Sequence, residues 1–224
     1  MIKALIFDLD GTLLDTIDDI SESMNEALIS LGLTGYSTDD YKRFVGMGVD
    51  RLVDEVLSNQ SADPSFFDSI KARYLANYTQ KRDELTKPYS GILPLLEEMI
   101  QKQIKVAVLS NKPDVDTQAV IAHYFPTYPF AVVMGKKPDY PIKPNPKSVH
   151  EIIATLGVSN NEILYIGDTG TDMMTAKNAN LTAVGVLWGF RQKEELLRNG
   201  ADYIINHPSE LLTIIERINH DSVS

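Results

Sequence analysis

The 224-residue sequence contains no cysteine, so it can form neither a disulfide framework nor a thiolate metal site. This absence is consistent with a cytoplasmic protein. The sequence is also poor in positive charge, because 21 Lys and Arg residues stand against 31 Asp and Glu residues. Nucleic acid and membrane surfaces select proteins with a basic face, so we expect neither as a partner of this acidic chain.

Long hydrophobic runs are missing as well. The apolar run at the amino terminus is broken at Asp8, which makes it too short for the core of a signal peptide. No stretch approaches the roughly 20 apolar residues that a membrane-spanning helix needs. With 43% apolar and 23% charged residues, the composition is that of a soluble globular protein, and we expect it in the cytoplasm.

The spacing of apolar residues divides the chain into two kinds of structure. Residues 16–87 show helical periodicity and no convincing strand, whereas later residues alternate between short apolar runs and helical segments. We therefore predict an α/β fold with a doubly wound, mostly parallel, Rossmann-like sheet. Residues 1–15 and 88–224 would form this core, and residues 16–87 would be inserted as a helical cap domain. The expected hinge lies where the chain crosses between the two.

The same spacing predicts the individual elements. Strands are predicted over residues 4–7, 104–109, 130–134, 163–166, 182–186 and 203–205. Helices are predicted over residues 20–31, 39–44, 49–57, 63–81, 94–103, 115–123, 146–156, 172–178 and 193–198. Asp63-Pro64 and Asn145-Pro146 are typical helix starts, with a capping side chain followed by proline. Residues 221–224 are expected to be frayed.

Two acids follow the first predicted strand, in the segment DLDGTLLD at residues 8–15. The apolar residues before them do not alternate, which is typical of a parallel strand covered on both faces. Ligands of open α/β sheets bind at the carboxyl ends of strands, where Asp8 and Asp10 would lie. An ordinary Asp-Gly turn explains Asp10 and Gly11. It does not explain the second acid, Asp8, at the strand end.

Three further polar features follow later elements. Ser110 and Asn111 come directly after the second predicted strand, and Lys143 precedes a capped helix start. The segment GDTGTD at residues 167–172 ends another strand with Asp168 and Asp172, four residues apart. A loop, a solvated lysine or a helix cap explains each feature when it is taken alone.

In their order along the chain, these features resemble the four motifs of the haloacid dehalogenase superfamily, in its phosphatase branch. The resemblance implies hydrolysis of a phosphomonoester through an aspartyl phosphate, with Asp8 as the nucleophile and Asp10 as the general acid and base. It also implies a Mg²⁺ ion held by Asp8, Asp10 and Asp168, with Asp10 contributing its backbone carbonyl. This ion and a few lysines would supply the positive charge that an acidic protein needs to bind a phosphate ester.

The resemblance implies roles for the remaining motif residues too. Ser110 and Lys143 would act with the catalytic acids by binding and neutralising the phosphoryl group. Thr12 is expected to orient the general acid at the substrate site, and Asn111 is expected to contact the substrate. Asp172 would lie behind the metal ligands and orient either the metal site or Lys143.

Within the superfamily, the helical insert and the segment VGMGVD at residues 45–50 look like the phosphoglycolate phosphatase group. Gly46 and Gly48 would let backbone amides approach a small anionic substrate, with Arg51 nearby. A turn between two cap helices explains this segment equally well. The implied partner is a small phosphorylated metabolite, and the protein is expected to act as a monomer or homodimer.

Several alternatives remain open. Another small-molecule phosphatase or a pyrophosphatase would carry the same core motifs. A sugar-phosphate mutase shares Asp8 and Asp10 and differs in its cap chemistry. A signalling receiver domain, which accepts phosphate without hydrolysing esters, also uses an Asp, a Ser or Thr and a Lys on a parallel sheet. Asp10 and the helical insert argue against that last alternative.

Overall fold

A six-stranded sheet forms the centre of the computed structural model, which describes residues 1–221. The strands of the protein are β1 (Ala4–Phe7), β2 (Leu14–Asp15), β3 (Lys87–Pro88), β4 (Lys105–Pro113), β5 (Val132–Lys136), β6 (Ile163–Gly167), β7 (Thr182–Val186) and β8 (Tyr203–Ile205). The order in the sheet is β5-β4-β1-β6-β7-β8, and every neighbouring pair is parallel. The predicted doubly wound, parallel α/β fold is confirmed.

Helices occupy most of the remaining chain. They are α1 (Ile17–Ile29), α2 (Thr38–Phe44), α3 (Gly48–Ser58), α4 (Phe67–Lys81), α5 (Ile92–Gln101), α6 (Asp114–Tyr124), α7 (Lys147–Leu156), α8 (Gly170–Asn178), α9 (Lys193–Arg198) and α10 (Glu210–Asp221). Within residues 1–221, none of them combines the length and apolar composition that crossing a membrane requires.

The first strand shows why its apolar residues do not alternate. All four residues of β1 are fully buried, because helices cover both faces of the sheet. Leu5 and Phe7 pack into a core with α5, α6 and α10, whereas Ala4 and Ile6 pack into a second core with α7, α8 and α9. A strand in this position needs an apolar residue at every place.

The structure differs from the predicted elements in several places, including the short strands β2 and β3, which were not predicted, and α5, which begins and ends two residues earlier than predicted. Strand β4 continues to Pro113, four residues beyond the predicted end, with an irregular register after Leu109. Its polar residues therefore extend the strand instead of forming a loop. Strand β5 lies two residues later than predicted, and helix α10 was not predicted at all. Asp221 belongs to α10, and the rest of the segment predicted to be frayed lies outside the described residues.

Helices α1–α4 lie between β2 and β3 in the chain and share a third hydrophobic core. Helix α1 packs on α4, and Phe190 joins this core from the connection between β7 and α9. The two chain segments that lead into and out of the helices pair as a short antiparallel ladder, Leu14 with Pro88 and Asp15 with Lys87. The helical insert is thus attached to the sheet through two adjacent segments.

Candidate active site

Three neighbouring strands bring the predicted core motifs to one edge of the sheet. Strand β1 lies between β4 and β6, and Phe7 is paired with both Val108 and Ile166. Asp8 directly follows Phe7, and Ser110 and Asp168 each lie two residues beyond the partners of Phe7, so all three lie at the same end of the sheet. All three are buried polar residues at the carboxyl end of the sheet, the usual position of a ligand site in this architecture.

Lys143 is the central cation of this site. Its ammonium lies 2.8 Å from Oδ1 of Asp8 and 2.8 Å from Oδ1 of Asp172. Its side chain is only 2% exposed, so these contacts are shielded from solvent. The other oxygen of Asp172 accepts a hydrogen bond from the hydroxyl of Thr169, in the capping box of α8. Asp172 is therefore fixed by the start of α8 and in turn fixes Lys143.

Carboxylate oxygens of Asp8, Asp168 and Asp172 lie within 4.8 Å of one another. Burial, together with the charge of Asp172, raises the pKa of Asp8 well above its usual value and that of Asp168 to about 7. Crowded buried carboxylates gain from a cation between them, and hard oxygen donors suit Mg²⁺. This donor set of carboxylate oxygens fits the predicted metal. The predicted contribution of Asp10 is its backbone carbonyl, which lies outside this cluster of side chains and stays a prediction.

Glycine is required beside this cluster. Gly11 has φ +84°, a left-handed conformation, and a Cβ built there would lie 2.3 Å from Oδ2 of Asp168. A Cβ on Gly189 would lie 2.4 Å from Cβ of Asp168. The backbones of two loops therefore pack directly against the Asp168 side chain and leave no space for a Cβ at either glycine.

The structure places Thr12 differently from the prediction. Its hydroxyl donates a hydrogen bond of 2.9 Å to Oδ1 of Asp168, and the backbone N–H of Phe190 donates one of 2.8 Å to Oδ2. Thr12 is fully buried and does not contact Asp10 through this hydroxyl. It therefore orients the carboxylate of Asp168 and is shielded from any substrate.

Asn111 also has a different environment from the predicted one. Its side-chain oxygen accepts the backbone N–H of Lys143 at 2.9 Å, and its amide nitrogen donates to the carbonyl of Gly46 at 3.0 Å. Both polar ends of the side chain are thereby occupied. Asn111 connects the Lys143 loop with the connection between α2 and α3, so it positions two walls of the site.

Of the three predicted cap residues, two line the site. Gly46 and Gly48, with φ +125° and +81°, both face the cavity between the helical insert and the sheet. Arg51 does not, because its side chain is 58% exposed and forms an ion pair of 2.6 Å with Glu55 on the same helix. Arg51 is thus outside the cavity wall in this structure, and its predicted role at the substrate site stays a prediction.

Lys112 is a residue of the site that was not predicted from the sequence. This residue lies on β4 with its side chain 5% exposed, and its ammonium is 2.9 Å from Oδ2 of Asp10. Burial alone would lower the pKa of Lys112, but the charge of Asp10, its hydrogen bond to Lys112, and the nearby Tyr74 and Asp116 together outweigh burial, and the pKa is raised. Lys112 therefore stays charged. In the sequence, Lys112 is recognisable only as a lysine two residues after Ser110, and that position does not indicate a contact with Asp10.

The cavity between sheet and insert has a volume of about 40 Å³. At about 10–15 Å³ for each water molecule, it holds only a few of them. Its floor carries the catalytic candidates, and its roof is largely apolar. The floor is formed by Asp8, Asp10, Ser110, Asn111, Lys112 and Lys143, and the roof by Ile20, Val45, Val49, Leu52, Tyr74, Leu75 and Tyr78.

Charged contacts at the rim of the cavity and beyond it hold the insert against the sheet. Arg82, after α4, lies 2.6 Å from Asp116 on α6, and Lys136 on β5 lies 2.9 Å from Asp50 on α3. Arg191 donates to several carbonyls at the end of α2, including that of Val45 at 2.8 Å. None of these contacts was predicted, because each joins residues far apart in the sequence.

Comparison with known proteins agrees with this geometry. Residues 5–186 match the family described as haloacid dehalogenase-like hydrolase. A phosphoglycolate phosphatase of Vibrio parahaemolyticus is 30% identical over 219 residues, covering 96% of both proteins. One from Rhodobacter capsulatus is 35% identical over 194 residues, covering 86% of this chain and 87% of that protein.

A solved structure has a similar fold over nearly the whole chain. The crystal structure of a candidate phosphoglycolate phosphatase from Lactobacillus delbrueckii has a TM-score of 0.88 and 30% identity, covering 95% of this chain and 98% of that one. The resemblance inferred from four short motifs thus extends over nearly the whole chain. The protein belongs to the haloacid dehalogenase-like hydrolase family.

Proposed function

We propose that this hydrolase is a magnesium-dependent phosphatase that cleaves a small phosphomonoester through an aspartyl phosphate on Asp8. The observation that carries the proposal is the position of the Asp8 carboxylate on the cavity floor, 2.8 Å from the ammonium of Lys143 and within the cluster of buried acids. A carboxylate nucleophile needs such neutralising charge before it can approach a phosphate dianion.

Asp8 and Asp168, with the backbone carbonyl of Asp10, would hold the Mg²⁺ ion. When bound, the ion neutralises charge on the phosphoryl oxygens. Asp172 would serve this site through Lys143, because its Oδ1 accepts a hydrogen bond from the ammonium of Lys143 at 2.8 Å.

The chemical steps belong to residues of the chain. Asp8 attacks phosphorus while Asp10 gives a proton to the departing ester oxygen, so the P–O bond to the alcohol breaks as the bond to Asp8 forms. Asp10 then takes a proton from the water that hydrolyses the aspartyl phosphate. Lys143 and the hydroxyl of Ser110 bind the phosphoryl oxygens, where negative charge builds up in the transition state.

The substrate we favour is phosphoglycolate. The observation that supports it is that relatives carrying this name match 86–96% of the chain. The same catalytic residues would also suit another small phosphomonoester or pyrophosphate. A non-hydrolytic phospho-acceptor is disfavoured, because Asp10 lines the same cavity as Asp8, where it can activate water. A sugar-phosphate mutase would share both acids and is the less favoured alternative.

The helical insert acts as a cap in this proposal. Residues 16–87 would open and close over the core, formed by residues 1–15 and 88–224, about the short ladder of β2 and β3. The roof of the cavity comes from this insert, so closure excludes water from the phosphoryl group and encloses the leaving group.

The test of this function is metal-dependent hydrolysis. Exhaustive treatment with EDTA should abolish hydrolysis of p-nitrophenyl phosphate, and added Mg²⁺ should restore it. A panel of phosphoglycolate, sugar phosphates, pyrophosphate and nucleoside monophosphates would then rank the substrates by kcat/KM, with phosphoglycolate expected first. Full activity in metal-free buffer would contradict the proposed role of the acid cluster.

Binding of Mg²⁺ should depend on pH even without substrate. The pKa of Asp168 is raised to about 7 in the folded protein, so the stabilisation that this group contributes to the metal-free protein is lost as the pH rises towards 7. Mg²⁺ binds the deprotonated carboxylate. The increase in Tm on adding Mg²⁺ should therefore be larger above pH 7 than below it.

Thermal unfolding of the EDTA-treated protein, with and without Mg²⁺, measures this difference. Asp168→Asn is the control variant, and its Tm should respond little to Mg²⁺ on either side of that pH. An equal increase for the parent protein in acid and in base would show that Asp168 does not bind the ion.

A further inference from the structure

Lys112 is a buried cation for which the proposed mechanism has no role. Its ammonium lies 2.9 Å from Oδ2 of Asp10, the proposed general acid and base. The other oxygen, Oδ1 of Asp10, is buried and has no hydrogen-bond partner among residues 1–221. One oxygen of this carboxylate is thus held while the other is left available, and Asp10 lines the same cavity as Asp8.

We propose that Lys112 is a positioning residue that fixes Oδ2 of Asp10, so that Oδ1 exchanges the proton with the leaving group and with the attacking water. This inference rests on the proposed phosphatase function and assigns a residue to it outside the four motifs. With its proton on Oδ1, Asp10 still offers Oδ2 as an acceptor to Lys112. The contact therefore persists through both proton transfers.

The surroundings of Lys112 hold its side chain in place from several directions. Its backbone N–H donates to the hydroxyl of Ser110 at 3.1 Å, which ties it to the proposed phosphoryl-binding residue. Its ammonium lies 4.5 Å from the centre of the Tyr78 ring, which descends from α4 of the helical insert. A cation over a buried ring is held by the electrons of that ring. The core thus fixes one side of the ammonium and the insert fixes the other.

This arrangement links the insert to the acid–base group. Tyr78 is 2% exposed and packs in the core of the insert, so its position follows that of α4. The ion pair between Arg82 and Asp116 anchors the end of α4 against α6, next to this ring. Lys112 is clamped between the Tyr78 ring and the Asp10 carboxylate only when the insert lies against the core. Closure of the insert over a bound substrate would then also fix the orientation of the Asp10 carboxylate.

The dependence of the rate on the leaving group tests this role. General acid catalysis matters most for poor leaving groups, which need a proton as they depart. We would measure single-turnover phosphorylation of Asp8 with a series of aryl and alkyl phosphates whose alcohols rise in pKa. Lys112→Met should lose about 10²-fold on alkyl phosphates and far less on phosphates of acidic phenols, so its plot of rate against leaving-group pKa becomes steeper. Lys112→Arg, which keeps the charge, should restore much of the parent slope.

Lys136→Met is the matched control. Lys136 also joins the insert to the core, through its ion pair of 2.9 Å with Asp50, but it has no contact with Asp10. This variant should keep the parent slope even if its KM changes. A purely structural role of Lys112 would lower the rates for all substrates by the same factor, and that result would overturn the inference.

A second variant covers the case in which Lys112→Met does not fold. Tyr78→Leu removes the ring over the ammonium and leaves Lys112 and Asp10 in place, so its slope should lie between those of the parent and the Lys112 variant. An unchanged slope would overturn the proposed link to the insert. If the parent enzyme hydrolyses phosphomonoesters, these results overturn only the role proposed for Lys112 and leave the proposed phosphatase function in place. A parent without phosphatase activity would overturn the proposed function and this inference together.

Discussion

Replacing Asp10 by Asn should slow the hydrolysis of alkyl phosphates by about 10²- to 10⁴-fold. This loss corresponds to about 3–5 kcal/mol of activation free energy. Asn cannot donate a carboxyl proton to the ester oxygen or take one from water. It keeps a side-chain oxygen for Lys112 and the backbone carbonyl for the metal, so the loss should reflect proton transfer and not a collapse of the site.

Acetyl phosphate separates the two steps of the reaction. Its leaving group needs little protonation, so Asp8 of the Asp10→Asn variant should still be phosphorylated, while hydrolysis of the aspartyl phosphate stays slow. Intact-protein mass spectrometry should then show one added phosphoryl group. Asp8→Asn should show neither turnover nor added mass, and Arg51→Ala, whose side chain pairs with Glu55 away from the cavity, should behave like the parent. Parent-like hydrolysis of alkyl phosphates by Asp10→Asn would mean that another group transfers the proton.

The position of the site could be predicted from the sequence because strand ends in a parallel sheet are ordered by simple rules. Buried strands covered on both faces are uniformly apolar, so the acids that interrupt such runs mark the carboxyl edge. Asp8, Ser110 and Asp168 were placed at that edge by this argument, and the order β4-β1-β6 brings them together. The pairing of Lys143 with Asp172 was one of two predicted alternatives.

Side-chain contacts could not be predicted in the same way. Thr12 and Asn111 lie next to catalytic candidates in the sequence, yet they contact Asp168 and Gly46, respectively, from other parts of the chain. The direction of a side chain depends on backbone torsions at the turn, such as the left-handed Gly11. The polar atoms of a residue beside a catalytic candidate can therefore be occupied by contacts with a distant part of the chain.

The cap illustrates the same limit over a longer range. Arg51 was chosen because a cation near a glycine turn suits an anionic substrate, but one helical turn later Glu55 provides a closer partner. Lys112 was passed over because its partners Asp10 and Tyr78 come from distant segments that meet only when the insert packs on the core. The pattern of apolar residues within a helix or strand predicts its buried face. Contacts between the helical insert and the core depend on how the two pack together, which that pattern does not specify.

Replacing Lys143 by Met should both inactivate and destabilise the protein. Removing one partner from a buried ion pair costs about 3–5 kcal/mol of unfolding free energy, because the other charge is left without compensation. Here two carboxylates lose their partner, since the ammonium lies 2.8 Å from both Asp8 and Asp172. The loss of positive charge at the phosphoryl group should lower kcat by about 10²- to 10³-fold as well.

The destabilisation of Lys143→Met should depend on pH in a defined direction. The pKa of Asp8 is already raised by burial and by the charge of Asp172, and Lys143 is the group that lowers it. Without Lys143 the pKa of Asp8 rises further. The folded variant tolerates the protonated Asp8 carboxyl, but it loses stability as the pH increases through the pKa of Asp8 in the folded protein, because the carboxylate is then buried without a partner. Urea unfolding of the EDTA-treated variant should therefore show a larger loss of stability in mildly alkaline than in mildly acidic buffer.

A surface lysine provides the comparison for this experiment. Lys177 pairs with Asp202, with side chains 42% and 38% exposed, and solvent-exposed pairs of this kind contribute at most about 1 kcal/mol. Lys177→Met should thus unfold close to the parent at either pH and keep its activity. If Lys143→Met were as stable as Lys177→Met in alkaline buffer, the ammonium would not be compensating the two buried carboxylates. The cluster would then have to be stabilised by protonation of its acids, and Asp8 would not be the ionised nucleophile that the proposed mechanism requires.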